Sequence, residues 1–245
     1  MICCALSDKG PVRDKNEDSY GFEQIGDYMC MAVADGLGGE VCGEIASSIA
    51  VKSVLSELNN SLPGCSDENV GSLLTSVFNK ANVKILLDCA EHRERIGMCT
   101  TLTAALVKGQ TLTIAHIGDT RCYLCHGKEI RRLTQDHNQA AQLVIEGSIT
   151  GEEAKVHPGR NRLVKVLGEN QFLHPDIYSY NIIYGDLVVL CSDGLYAFLN
   201  KEDWAAGLRD RTSLESICGK LITSACSNRS TDNMTVLIGN TSLKA

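Results

Sequence analysis

An apolar run from Tyr28 to Ala34 ends abruptly at Asp35, and this run most limits how the chain can fold. Apolar residues fill both sets of alternating positions, so the run predicts a strand that is buried on both faces. Gly36, Gly38 and Gly39 follow and allow a sharp turn of the backbone. The sequence therefore places a carboxylate at the end of a buried strand. Because Asp-Gly is also a common turn dipeptide, this pair alone does not separate a functional site from a plain turn.

Three further aspartates lie next to apolar strand patterns. Asp193 follows the run LVVLCS and precedes a glycine, Asp119 follows TLTIAHIG, and Asp232 comes just before the final run NMTVLIG. If the strands form packed antiparallel sheets, these strand ends can converge on one rim, with the polar loop from Arg13 to Asp18 nearby. The acidic residues then become candidates for one shared site.

The remaining pattern predicts helices and strands in blocks rather than in strict alternation. Apolar spacing predicts helices over 44–59, 69–95, 201–208 and 214–227, and β-forming runs follow Gly97. This favours an α+β domain over residues 1–245, with antiparallel sheets and helices outside them. Short helical pieces in about 137–160, one beginning at Thr150, predict a small flap inserted between strands.

Composition excludes several classes of partner. The net charge of -7 and the absence of a Lys/Arg block argue against nucleic acid, and no apolar run approaches the ~20 residues of a membrane helix. We therefore expect a cytoplasmic protein with no membrane partner. The 12 scattered cysteines fit reduced core thiols. The segment from Cys122 to His126 matches a haem attachment pattern, but it also reads as a strand, so we expect no haem.

The acidic rim requires cations or shared protons, because two carboxylates ~4 Å apart repel by about 4 kcal/mol at an effective dielectric of 20. A donor set of oxygens alone indicates hard ions such as Mg²⁺ or Mn²⁺. Two such ions that share Asp35 could lower the pKa of a water molecule and direct it at phosphorus. Arg13 could then grip the phosphate with its planar fork.

With these motifs in order, the sequence resembles the metal-dependent Ser/Thr protein phosphatases of the protein phosphatase 2C type (the PPM family), and most closely the bacterial branch. The resemblance covers essentially the whole chain. It rests on SDKGPVRDKNEDS, VADGLGGEVCGEIAS, TTLTAALV, AHIGDTRCY, LTQDHN, ITGEEAKVHPGRNRLVKVLG, LVVLCSDGL and STDNMTVL. It implies a four-layer α-β-β-α sandwich with two packed antiparallel sheets.

The resemblance also implies roles for individual residues. Asp35 would bridge two core ions, and the Gly36 carbonyl and Glu17 would complete one site. Asp193 and Asp232 would complete the other site. The further residues that it implies are Asp18 as an acidic partner of the first motif, Asp119 as part of a third and weaker metal site, and Arg13 as the phosphate-binding residue. Asn233 is a candidate supporting residue. We expect no histidine to act as general base, and His137 and His157, which border the flap, are the best candidates for another functional role.

This chain departs from the family pattern at several positions. Leu37 stands where many eukaryotic relatives carry a histidine that protonates the leaving group, so we expect protonation from another source, such as water on a metal. Glu40 stands where bacterial members often have a histidine, and Cys99 where a glycine is usual. None of these positions is a proposed metal ligand, so an active enzyme is expected.

Three functions remain open at this point. The main hypothesis is hydrolysis of phosphoserine and phosphothreonine in proteins without a phosphoenzyme, in opposition to a Ser/Thr kinase. An alternative enzymatic function is that of a phosphohydrolase that acts on small phosphorylated metabolites. A phospho-sensing module without catalysis is the non-enzymatic alternative, and loss of an aspartate ligand would favour it.

Overall fold

The computed structural model describes residues 1–37, 42–127, 129–169, 171–209 and 213–242. Gly38, Gly39 and Glu40 lie outside the described residues. The turn that the sequence predicts at Gly38 and Gly39 therefore also lies outside the described residues.

Eleven strands are present in the described ranges. They are β1 (Ile2–Asp8), β2 (Asp18–Ile25), β3 (Tyr28–Leu37), β4 (Cys99–Thr100), β5 (Leu102–Lys108), β6 (Thr111–Ile117), β7 (Arg121–His126), β8 (Glu129–Arg132), β9 (Asp176–Asn181), β10 (Leu187–Cys191) and β11 (Met234–Asn240).

Seven α-helices accompany them in the same part of the chain. They are α1 (Gly43–Ser61), α2 (Val70–Glu91), α3 (Gln139–Ile145), α4 (Gly151–Val156), α5 (Asp193–Tyr196), α6 (Lys201–Arg209) and α7 (Leu214–Ser227). No helix among the described residues is both long and apolar enough to cross a membrane.

The strands form two antiparallel sheets. One has the order β1-β11-β10-β7-β8, and the other has the order β2-β3-β5-β6-β9 with β4 paired to the end of β3. The predicted pair of antiparallel sheets with helices outside is confirmed.

Three apolar clusters fill the spaces between the four layers. One lies between α1, α2 and the sheet of β3, and includes Phe78, Leu58 and Ile85. A second lies between the two sheets, around Met31 and Ile114. A third lies under α6 and α7. Alternating residues of β3 lie in two of these clusters, so both faces of the strand are buried. This explains why both faces are apolar.

Two strands were not predicted, and one helix is shorter than predicted. The strand β2 pairs with β3 along its whole length, although the sequence suggested only a polar loop ahead of β3. The short edge strand β8 is largely exposed and polar, so it lacks the alternating pattern that would reveal it. The helix α2 ends at Glu91 because His92 is extended, and Arg93–Arg95 form a separate 3₁₀ turn.

The insertion between β8 and β9 contains α3, α4 and a 3₁₀ turn over Pro158–Asn161. Thr150 caps α4 as predicted: its hydroxyl accepts from the Glu153 amide, and the Glu153 carboxylate accepts from the Thr150 amide. We call residues 137–160 the flap. Its base is closed by an antiparallel bridge between Asn138 and Leu163.

The segment from Cys122 to Cys125 is part of β7, as predicted. Its two cysteines point to opposite sides of the sheet, because Cys122 lies in the cluster between the sheets and Cys125 lies under the helices. All 12 cysteines are free thiols.

Candidate functional site

The hairpin of β2 and β3 sets the first two acidic residues opposite each other. In its register Asp18 pairs with Asp35, the first residue of one strand against the end of the buried run in the other. The backbone of Asp35 is fixed from the neighbouring strands: its amide donates to Thr101 Oγ1 at 2.9 Å, and its carbonyl accepts from the Thr101 amide at 2.9 Å. The apolar run therefore ends at a residue whose main-chain amide and carbonyl are both hydrogen-bonded to Thr101.

Gly36 allows the next segments to approach this strand end closely. Its amide donates to the Glu17 carbonyl at 3.1 Å. A Cβ at this position would overlap the Gly43 carbonyl at the start of α1 and would lie 2.7 Å from the Glu17 carbonyl oxygen. Only glycine fits this crossing, which brings the loop before β2 and the start of α1 against the Asp35 end.

The other aspartates reach the same rim by strand direction. The strand β6 runs parallel to β3, because each is antiparallel to β5, so Asp119 leaves the sheet at the end where Asp35 lies. In the other sheet β10 and β11 are antiparallel, so Asp193 after β10 and Asp232 before β11 share one end. Asp193 lies close enough to Asp35 for its negative charge to raise the pKa of Asp35. The predicted convergence is therefore present across both sheets.

Burial and mutual repulsion dominate the electrostatics of this acidic rim, which we define as Asp18, Asp35, Asp119, Asp193 and Asp232. Burial raises the pKa of Asp35 well above its usual range, and the negative charges of the other four raise it further. Burial and then Asp193 raise the pKa of Asp119, and burial and then Asp232 raise that of Asp193. The rim is an arrangement that a cation would stabilise.

Asp18 supplies a second sign of such a cation. Its Oδ2 accepts from the Ser192 hydroxyl at 2.6 Å, whereas its Oδ1 is buried and has no hydrogen-bond partner. A buried carboxylate oxygen without a partner is costly unless something positive satisfies it. Among the described residues, no three His, Cys, Asp or Glu side chains converge by themselves in the geometry of a metal site. Water and backbone oxygen would therefore have to provide further ligands, as they do for Mg²⁺.

Arg13 lies at the open side of the acidic rim. Its Nη2 donates to Asp232 Oδ2 at 2.7 Å, and this hydrogen bond raises the pKa of the guanidinium. The contact uses one of the five N–H donors of the guanidinium. The side chain is about half exposed, at 47%, so it remains accessible to an anion.

Asn233 holds the loop that carries Arg13 and Glu17. Its Oδ1 accepts from the Glu17 amide at 2.8 Å, and its Nδ2 donates to the carbonyls of Lys9 and Lys15 at 2.8 and 2.9 Å. One buried side chain thus fixes both ends of the loop against the start of β11.

The two flap histidines differ in position. His137 is largely buried at the flap base, where its backbone and ring contact Gly118, the residue before Asp119. His157 caps the 3₁₀ turn, and its Nδ1 accepts from the Gly159 amide at 3.0 Å. No contact recorded for the described residues joins His157 to the acidic rim.

Sequence reasoning missed the groups behind the rim. Arg121 forms a two-pronged pair with Asp136, at 2.9 and 2.6 Å, and lies over the Tyr196 ring, 3.5 Å from its centroid. Its charge lowers the pKa of Asp119 and of Asp193 against the effect of burial. An arginine two positions after Asp119 was the available signal, but its partner lies fifteen positions further along the chain and depends on the fold.

The chain is similar to known proteins over almost its whole length. A family model described as protein phosphatase 2C matches residues 12–225. The serine/threonine phosphatase stp of Listeria welshimeri is 32% identical over 95% of this chain and 92% of its own length. The crystal structure of the serine/threonine phosphatase Stp1 from Staphylococcus aureus superimposes with a TM-score of 0.91 at 29% identity, covering 99% of this chain and 95% of that chain.

A further solved structure bears on the metal. The catalytic domain of the serine threonine protein phosphatase PstP in complex with 2 manganese ions aligns with a TM-score of 0.82 and 31% identity. The alignment covers 97% of this chain and 96% of that domain.

Proposed function

Because this chain belongs to the protein phosphatase 2C family and is a metal-dependent protein serine/threonine phosphatase, we propose that the acidic rim is its catalytic centre. The observation that carries this proposal is the convergence of five buried or partly buried carboxylates from both sheets on one rim. Burial and repulsion raise the pKa of four of them, namely Asp18, Asp35, Asp119 and Asp193. Carboxylates of this kind can bind divalent cations when water and backbone oxygen supply the remaining ligands.

Two Mn²⁺ or Mg²⁺ ions would be held by Asp35, Asp193, Asp232, Glu17 and the Gly36 carbonyl, with water completing their shells. Asp119 would contribute to a third and weaker site, and Asp18 would accept hydrogen bonds from water on the ions. When bound, these ions supply a water of lowered pKa for direct attack on phosphorus. The PstP complex with 2 manganese ions supports two core ions.

The residues of the chain orient the reactants. Arg13 binds the phosphate oxygens with the donors that its contact with Asp232 leaves over. Ser192 holds Asp18 by one oxygen and leaves the other without a hydrogen-bond partner. Asn233 keeps Glu17 and Arg13 in place through the loop backbone. Leu37 offers no proton, so the leaving alkoxide takes its proton from water.

The substrates that we propose are phosphoserine and phosphothreonine in proteins, and the biological role is signal transduction in opposition to a Ser/Thr kinase. A cytoplasmic location is supported by twelve free thiols, which fit a reducing compartment. The single catalytic domain would span residues 1–245.

A phosphothreonine peptide assay with and without Mn²⁺ tests the proposal. We expect Mn²⁺-dependent release of phosphate, and its loss in Asp35→Asn, while Asp27→Asn, an exposed change of the same size, stays active. A small phosphate ester run in parallel should be a poorer substrate than the peptide. Activity in excess chelator, or full activity of Asp35→Asn, would disprove the two-ion centre, and equal use of the small ester would favour a metabolite phosphohydrolase.

A further inference from the structure

The flap base is hydrogen-bonded directly to the turn that carries Asp119. The His137 amide donates to the Gly118 carbonyl at 2.7 Å, and the Gly118 amide donates to His137 Nδ1 at 3.1 Å. One residue therefore binds both polar groups of Gly118. Since Gly118 has a φ of 101°, in the left-handed region, the direction of the following residue depends on how this turn is held.

The other ring nitrogen of His137 is also occupied. Its Nε2 lies 3.2 Å from Asp176 Oδ2, and because Nδ1 accepts from an amide, Nε2 carries the proton and donates. Burial lowers the pKa of His137, which fits a neutral ring with this tautomer. The imidazole thus connects Asp176 on β9 with the Gly118 turn and has a fixed orientation.

The two ends of the flap meet at the same place. The amide of Val164 donates to the His137 carbonyl at 2.9 Å. Lys165 Nζ lies 3.0 Å from Asp176 Oδ1, the carboxylate whose other oxygen accepts from His137. A change in the position of the flap base would therefore act on His137, and through it on the Gly118 turn.

We propose that His137 is a positioning residue that links the flap to the Asp119 carboxylate, so that the weak third metal site is complete only when the Nδ1 contact with Gly118 is made. This inference rests on the proposed function for the identity of the third site. The proposal depends on the hydrogen bond that Nδ1 accepts from the Gly118 amide. The contact of Nε2 with Asp176 fixes the ring and the ends of the flap. Substitution of a residue that orients a metal ligand typically reduces metal affinity or activity by about 10–100-fold.

Two substitutions separate the two nitrogens. In His137→Asn the amide oxygen can occupy the position of Nδ1 and still accept from Gly118, but the side chain cannot reach Asp176. In His137→Gln the terminal amide can donate to Asp176, but the acceptor for Gly118 is lost. Both variants remove the imidazole, so a purely structural role would affect them alike.

The experiment is a calorimetric titration of the metal-free protein with Mn²⁺, repeated for each variant, with and without Asp119→Ala. We expect His137→Gln to weaken the lowest-affinity Mn²⁺ site about 10-fold. His137→Asn should stay within about threefold of the native protein. In the Asp119→Ala background, which should lack that site, His137→Gln should leave the two tighter sites unchanged.

The inference is overturned if His137→Gln binds Mn²⁺ like the native protein, if His137→Asn loses as much affinity as His137→Gln, or if the native protein has no weaker site that depends on Asp119. Thermal unfolding of each variant checks that the fold persists. The titration does not depend on turnover. An inactive native protein would thus contradict the proposed function, while the coupling between His137 and Asp119 would still be measured.

Discussion

Neutralising one carboxylate of the acidic rim should stabilise the metal-free protein while it abolishes catalysis. The change is Asp193→Asn, which keeps the size of the side chain and removes its charge. Asp193 lies close enough to Asp35 and Asp119 for its negative charge to raise the pKa of both. In the metal-free native protein the rim carboxylates therefore repel one another, and among the described residues no cation of equal charge balances them.

The size of the effect follows from Coulomb repulsion. Two carboxylates ~4 Å apart repel by about 4 kcal/mol at an effective dielectric of 20. Partial protonation, favoured by the raised pKa values of Asp35 and Asp193, and partial exposure of Asp193 reduce this repulsion. We therefore expect the free energy of unfolding to rise by about 2 kcal/mol in excess chelator. For a chain of this length such a gain raises Tm by about 4–8 °C.

Saturating Mn²⁺ should reverse the order of stability. An ion present at 100 times its Kd stabilises the native protein by about 2.7 kcal/mol per site, and Asp193→Asn should lose most of this gain. Thermal unfolding in chelator and in Mn²⁺, with phosphopeptide turnover in parallel, measures both effects. Asp27→Asn, which removes an exposed charge, is the control and should behave like the native protein. A lower Tm of Asp193→Asn in chelator, or an undiminished Mn²⁺ response, would refute this reasoning.

Two further changes test the support of the site and the core beneath it. Asn233→Ala removes three hydrogen bonds to the Lys9–Glu17 loop, and we expect about 2–4 kcal/mol less stability in urea unfolding together with reduced turnover; a loss below about 0.5 kcal/mol would contradict the role of Asn233 as the loop anchor. Burial lowers the pKa of His116 to about 3, against about 6.5 when unfolded, so its contribution to stability is complete above the unfolded pKa and decreases as pH falls toward the folded pKa. Between pH 7.5 and 5 the native protein should lose about 2 kcal/mol more than His116→Gln, and equal slopes for the two proteins would contradict a buried neutral imidazole.

Residues that belong to strand ends were predictable from the sequence because the signal is local. The run from Tyr28 to Ala34 fills two core layers, and this pattern predicted Asp35 at the end of a central strand, which in fact continues two residues further, to Leu37. The same holds for Asp193 and Asp232. The grouping of helices and strands in blocks also predicted antiparallel sheets, and the capping pair of Thr150 and Glu153 predicted the start of α4.

Elements and contacts that depend on partners elsewhere in the sequence could not be predicted in this way. The strand β2 has a mixed polar and apolar sequence because it forms the edge of its sheet, and only pairing with β3 makes it a strand. Asp136 stabilises Arg121 under the rim, yet in the sequence both read as ordinary charged residues near turns. Such contacts join positions far apart in the chain, and composition carries no trace of them.

The dipeptide of Asp232 and Asn233 shows how the fold offsets the electrostatic cost of its own site. Asp232 adds a negative charge to the rim. Its carboxylate also forms a salt bridge with the guanidinium of Arg13, which lies on the loop. The next side chain, Asn233, fixes that loop at both ends by neutral hydrogen bonds. The cation is therefore kept at the rim by contacts that do not depend on the charge of the rim itself. If Arg13 binds the phosphate as we propose, its side chain would leave Asp232 while Asn233 still holds the loop backbone. Stability of the apo rim and binding of substrate would then depend on one short segment.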